Sequence, residues 1–214
     1  PPTPVSMAVF NDPNGGCFTG DSVILLANGD KKLVKELVKG DKVMTLKDPY
    51  GLKTGLSNAN VVCILKTITT GNIKLTTTQK GLKITPWHPI KKDAHNWVFP
   101  HSIVSPEIEE CNSIFNLILP CGHIPVISNT PCITLGHGYN EGILRHPYFG
   151  TRKVIDDLSK VVGFTDGHII IYPNWFKREG PPLDNSGINT INKIELPYPR
   201  ITKINCLMSP TINA

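Results

Sequence analysis

Apolar positions along this chain fall in short runs broken by glycine, proline and asparagine, not in long helical periods. Residues 22–26 form an apolar run of strand formers, Asn28-Gly29 comes next, and Leu33-Val34 resumes the apolar pattern. Asn-Gly readily adopts the positive φ angles of a two-strand tight turn, so this spacing predicts a β-hairpin. Residues 35–38 predict one helical turn stopped by Gly40, and residues 42–46 the next strand. Runs rich in Val, Ile and Thr at 61–69, 73–78 and 82–85, punctuated by Gly71 and Gly81, continue the theme. Residues 97–99, 113–119, 124–127 and 132–135 predict the later strands. Many short strands with turn signals at close spacing predict an all-β domain.

The pattern changes after about residue 140. Residues 154–162 predict a helix, with Val154, Leu158 and Val161-Val162 on one face and Asp156, Asp157 and Lys160 on the other. Pro173, Pro181-Pro182, Pro197, Pro199 and Pro210 divide the rest of the chain into short extended pieces. At the other end, Pro1, Pro2, Pro4, Pro13 and Gly15-Gly16 break any regular element. The expected organisation is an upstream linker at 1–16, a core at 17–139 and a separate loop-rich C-terminal region at 140–214.

Composition narrows the class. With 214 residues, 40% hydrophobic and 18% charged, the chain can build one generous core and is not disordered in composition. No apolar run approaches the roughly 20 residues of a membrane-spanning helix, and the polar, proline-rich start does not read as a signal peptide. Six cysteines in a chain of this length are too sparse for a disulfide-stapled scaffold, and no N-x-S/T glycosylation acceptor occurs. Both favour a reducing, intracellular compartment. A net charge of +5 permits a polyanionic partner without demanding one.

Three stretches carry chemistry. The first is Gly16-Cys17-Phe18-x-Gly20-Asp21-Ser22, succeeded by the Asn28-Gly29 turn and Leu37-x-x-Gly40-Asp41-x-Val43. The second is Thr85-Pro86-Trp87-His88, at the end of a predicted strand. The third is Pro131-Cys132-Ile133-Thr134-Leu135-Gly136-His137-Gly138, with His146-Pro147-Tyr148-Phe149-Gly150-Thr151 downstream. In this order they resemble a Hint domain, the autoprocessing module of hedgehog proteins, inteins and bacterial intein-like proteins. The third stretch is most similar to the Vint family, Hint domains fused to von Willebrand factor A domains. The Hint resemblance covers residues 16–138, and its Vint-specific part runs to about 160.

The resemblance implies a pseudo-twofold, horseshoe-like β fold with an adduct-recognition region after it. It implies a single-turnover reaction on the chain itself, in which the Cys17 thiol attacks the Gly16 carbonyl and turns the Gly16–Cys17 peptide bond into a thioester. Water or another nucleophile then opens it, releasing or modifying an upstream partner domain of von Willebrand factor A type. The residue types suit this chemistry. A thiol with pKa about 8.5 becomes a strong nucleophile beside a base. Glycine leaves the approach open and accepts unusual φ/ψ. His88 titrates near neutrality and can protonate the departing nitrogen, and the Thr85 hydroxyl can hold the amide or its oxyanion. Cys132 falls where the hedgehog pattern carries a cysteine in its last core strand. Cys132 and His137 could each line the pocket, or be a packed core thiol and a structural histidine. Inteins end in a His-Asn pair; this chain reads Cys132-Ile133-Thr134 there, so no splicing is expected. Residues 63–66 lack the acid that in hedgehog domains activates the sterol hydroxyl.

The remaining candidates divide between binding and packing. Cys111, Cys121, His123, Cys132 and His137 are locally dense, but their spacing is not that of structural zinc sites, so neither metal nor cofactor is expected. Arg145, Arg152, Lys177, Arg178, Arg200 and Lys203 are interleaved with aromatic residues in the C-terminal region. They support an alternative in which a vestigial or gated core carries a surface for an anionic polymer such as a sulfated glycan. Either reading expects a monomer.

Overall fold

The computed structural model describes residues 16–50, 55–177 and 191–196. Fifteen strands and one α-helix are present among them. The strands are β1 (Phe18–Thr19), β2 (Val23–Leu25), β3 (Lys31–Leu33), β4 (Lys42–Leu46), β5 (Leu56–Asn60) and β6 (Cys63–Thr77). Next come β7 (Lys83–Ile84), β8 (Ile90–Lys91), β9 (Trp97–Val98), β10 (Glu107–Ile118), β11 (Val126–Ile127) and β12 (Thr130–Pro131). Helix α1 (Arg152–Leu158) precedes β13 (His168–Ile171), β14 (Phe176–Lys177) and β15 (Lys193–Ile194). The all-β expectation holds, and among the described residues no helix is long and apolar enough to cross a membrane.

Two long strands form the spine. β6 and β10 pair antiparallel from Cys63↔Ile118 to Leu75↔Glu107, with a bulge between Cys111 and Ser113. The bulge sits opposite Gly71, whose φ of +102° lets the backbone turn where a side chain would be strained. Expected as two strands, 61–69 and 73–78 are thus one, because the glycine bends the ladder without breaking it. The short β1 lies between β10 and β7, β7 pairs with the far end of β6, and the four strands pair in a ring. A second sheet runs β12-β11-β2-β3 and contains the hairpin expected at Asn28-Gly29. Strand β4 matches its expected range and pairs with β5. β5 was not expected from its polar sequence, in which only Ala59 is buried.

The main core gathers Phe18, Ile24, Val43, Ile64, Leu82, Ile84, Phe115 and Leu117. Each such side chain contributes roughly 1.5–3 kcal/mol on burial. A second cluster joins Cys63, Leu65 and Ile118 to Tyr148, Val154, Leu158, Ile169 and Ile171. The described residues after 140 therefore pack on the spine, and β13 runs parallel to β6 as an edge strand of the same sheet. Val154 and Leu158 are buried as the helical pattern requires, but the helix stops at Leu158 and leaves Val162 85% exposed. Residues 132–135 are not a strand; Cys132 makes only an isolated bridge to Ile90. The Ile133 carbonyl turns instead toward the ring of His88.

Candidate functional site

Strand register builds the site. Phe18 of β1 stands opposite Ile84 of β7 on one side and Phe115 of β10 on the other. One position further along these antiparallel pairs, the Gly16–Cys17 peptide comes beside Thr85 and Asn116. The Thr85 hydroxyl accepts hydrogen bonds from the backbone N–H of Gly16 (3.1 Å) and of Cys17 (3.0 Å), and donates to the Cys17 carbonyl (3.1 Å). The Thr85 N–H reaches the same Cys17 carbonyl at 2.9 Å. From β10 the Asn116 side-chain amide donates to the Gly16 carbonyl oxygen. Its own Oδ1 accepts from the Leu117 N–H at 2.7 Å, which fixes the amide with its NH₂ toward Gly16. Both polar groups of one peptide unit, the Gly16 C=O and the Cys17 N–H, are thus held by side chains. Gly16 has φ of +82°, where an L side chain is strained.

His88 enters through a tight turn whose N–H bonds the Thr85 carbonyl at 3.2 Å, with Pro86 setting the turn. The ring is fully buried. Its Nε2 is 2.7 Å from the Ile133 carbonyl, so Nε2 carries the proton and donates. In the neutral ring Nδ1 is then a bare acceptor, and this buried atom has no hydrogen-bond partner. Burial pulls the His88 pKa down to about 4, against the opposing pull of the Ile133 and Gly16 carbonyls. The ring is neutral at physiological pH and able to take up a proton at Nδ1.

A cavity opens against this peptide. Gly16, Trp87, His88, Asn116, Ile133, Leu135, His137, Ile143, Leu144, His146 and Phe149 lie on its walls, and about 50 Å³ of it is open to the centre of a water-sized sphere. His137 is buried, and its Nδ1 accepts from the Tyr139 N–H at 2.9 Å. Burial, and after it the nearby His123, His146 and His88, drives its pKa down to about 3. His146 accepts at Nδ1 from the N–H groups of Tyr148 (3.1 Å) and Phe149 (2.9 Å). Gly150 closes against both rings' loops: a Cβ there would fall 2.9 Å from the His146 carbonyl and 3.1 Å from His137 Nε2.

Of the expected site residues, Gly16, Cys17, Thr85, His88 and His137 come together around one bond or its cavity. Cys132 lies in the main core cluster and is absent from the cavity wall; burial pushes its thiol pKa up, which keeps it protonated. Arg145 and Arg152 are exposed, Arg152 is paired with Asp156, and Lys177 lies 3.7 Å from Glu195. Arg178, Arg200 and Lys203 lie outside the described residues. Among the described residues, no group of three or more His, Cys, Asp or Glu is placed to hold a metal ion. Asn116 and His146 went unrecognised in the sequence. The signal for Asn116 was a lone amide in the apolar run 114–118, since a polar group buried in such a run needs a partner.

The family model described as Vint, a Hint domain, matches residues 16–181. No curated protein matches the chain. Among solved structures, a bacterial intein-like domain from Clostridium thermocellum is similar at 17% identity, with a TM-score of 0.46 over 56% of this chain and 98% of that one. A DnaB intein from Synechocystis is similar at 21% identity, with a TM-score of 0.40 over 56% of this chain and 99% of that one.

Proposed function

The chain belongs to the Vint family of Hint domains, a self-processing fold, and from that premise we propose that it cleaves its own backbone once, at Gly16–Cys17, through a Cys17 thioester. The observation that carries this reading is the grip on one peptide unit. Thr85 holds the Cys17 N–H, Asn116 holds the Gly16 carbonyl, and His88 stands in the same pocket with an unpartnered basic nitrogen.

These contacts support one order of events. The Cys17 sulfur bonds to the Gly16 carbonyl carbon while its proton passes to His88 Nδ1. Negative charge gathers on the Gly16 oxygen, where the Asn116 amide already points; such a preplaced donor is worth about 10²–10³ in rate. The C–N bond then breaks, and the protonated His88 returns the proton to the departing Cys17 nitrogen. On this reading His88 acts first as base and then as the acid expected of it. The sequence Cys132-Ile133-Thr134 supplies no asparagine for a second cleavage, so the reading ends with release of the upstream segment and not with splicing. The upstream segment would belong to a partner domain in cis, of von Willebrand factor A type. The binding-module alternative draws less support, because two of the described basic residues, Arg152 and Lys177, lie against acidic side chains.

Incubation of the intact chain with hydroxylamine at mildly alkaline pH, with mass spectra taken over time, tests this. The unmutated chain is expected to shed residues 1–16, Cys17→Ala to stay whole and His88→Ala to slow sharply. A chain that stays whole under every condition, or a Cys17→Ala variant that cleaves as fast, overturns the reading.

A further inference from the structure

Gly16 stands at φ of +82° with both of its polar backbone groups held by side chains. Its N–H donates to the Thr85 hydroxyl at 3.1 Å, and its carbonyl oxygen accepts from the Asn116 side-chain amide. We infer that this clamp makes the site select the acyl residue by backbone conformation: glycine or a D-residue is processed at position 16, and an L-residue with a side chain is disfavoured. The inference deepens the thioester reading of the site and rests on it.

Lack of room is not the cause. A Cβ built in the L position at Gly16 meets no heavy atom within 4 Å among the described residues, its chain neighbours apart. Gly20, in the same sequence block, is the opposite case. Its φ is not positive, and a Cβ there would stand 2.7 Å from the Phe115 ring and 3.0 Å from the Lys35 Cβ. Space demands glycine at 20; conformation demands it at 16.

At positive φ an L side chain brings its Cβ against the carbonyl oxygen of its own residue. Here that oxygen is the one Asn116 holds. An L-residue can relax only by rotating about its N–Cα bond, which swings the N–H away from Thr85 or the carbonyl away from Asn116. Either the strain stays or the carbonyl loses its donor. The strain alone leaves about one molecule in 5 to 30 in the productive arrangement. A D-residue is the mirror image. Positive φ is its ordinary region, which is why D-amino acids serve in tight turns, and it keeps both hydrogen bonds.

Three full chains test this, with glycine, L-alanine or D-alanine at position 16. A synthetic segment 1–16 bearing a C-terminal thioester is ligated in denaturant to a chain that begins at Cys17, and the product is refolded. Gly16→Ala made by direct expression is a second source of the L-alanine chain. Release by hydroxylamine is timed by mass spectrometry and taken per folded molecule, with the folded fraction read by circular dichroism. L- and D-alanine react equally with an achiral nucleophile, so their ratio reports the conformation the site demands and nothing intrinsic to alanine. The D-alanine chain is expected to cleave about 5- to 30-fold faster than the L-alanine chain. Asn116→Ala, which frees the carbonyl, should bring that ratio toward one. A D-alanine chain no faster than its L counterpart, or a ratio unchanged by Asn116→Ala, overturns the inference, while release from the glycine chain keeps the thioester reading standing. No release from any of the three overturns both.

Discussion

The side-chain amide of Asn116 reaches the carbonyl oxygen of Gly16, 100 residues away in sequence. It does so because β1 and β10 pair with Phe18 opposite Phe115, which leaves the next position of β10 facing the peptide before Cys17. The Asn116 Oδ1 is tied to the Leu117 N–H, so the amide cannot rotate away without breaking a buried bond. Asn116→Ala is expected to slow hydroxylamine-induced release about 10²–10³-fold, the usual cost of one lost oxyanion donor. Asn116→Asp should be no better, since a carboxylate has no proton to offer a developing anion. Release rates read by mass spectrometry, beside thermal melts of each variant, separate this from unfolding: a variant that stays folded and cleaves normally would remove Asn116 from the chemistry.

Thr85 carries a different burden. Its one hydroxyl oxygen accepts from two backbone N–H groups and donates to a carbonyl. Thr85→Val keeps the shape and deletes all three bonds. Leaving buried donors unsatisfied costs about 1–3 kcal/mol, so urea denaturation should show a loss of that size, with cleavage lost as well. Thr85→Ser keeps the hydroxyl and should retain most of both. Equal stability for the Val and Ser variants would mean that solvent replaces the hydroxyl.

Much of this site was legible in the sequence, for a physical reason. The Gly16–Ser22 block and Thr85-x-x-His88 each lie within a few residues, and the family resemblance they carry points to Cys17, Thr85 and His88; the pairing of β1 with β7 closes the 68 residues between Cys17 and Thr85. The hairpin at Asn28-Gly29 and the strand Lys42–Leu46 were legible likewise, because turn chemistry and β-branched runs act over a few residues. Asn116 was not, because its role exists only in the register between β1 and β10. Residues 132–135 read as a strand from their apolar character, but the demand of His88 for the Ile133 carbonyl competes with ladder pairing there. Strand β13 was hidden for a related reason: the spine of β6, not any hairpin neighbour, is its partner.

Gly150 offers a test of the cavity wall that touches no reacting atom. A methyl group there would press on the His146 backbone carbonyl at 2.9 Å and on the His137 ring at 3.1 Å. Backbone cannot yield as a flexible side chain does, so Gly150→Ala is expected to cost about 1–3 kcal/mol in stability and to shift His137. The His137 ring resonances in an NMR spectrum should move while those of His101, on the Trp87 side, stay in place. Unmoved His137 signals would show that the loop at 146–150 adapts.

Acid should unfold this protein earlier than its carboxylates alone would require. His88 titrates near 6.5 when unfolded but is held down to about 4 by burial in the fold, and His137 is held down to about 3 for the same first cause. Between those values the unfolded chain binds protons that the folded chain refuses, so falling pH favours unfolding. The stabilisation is complete above about pH 6.5 and drains away as pH drops toward 4. For His88 alone the depression corresponds to about 3 kcal/mol, and His137 adds in the same direction. Urea midpoints measured between about pH 7 and pH 5, a window above most carboxylate titration, should therefore fall steadily. His88→Gln, which has no proton to take up, should flatten that slope. A midpoint constant across the window would mean that the buried rings can reach solvent and charge without unfolding.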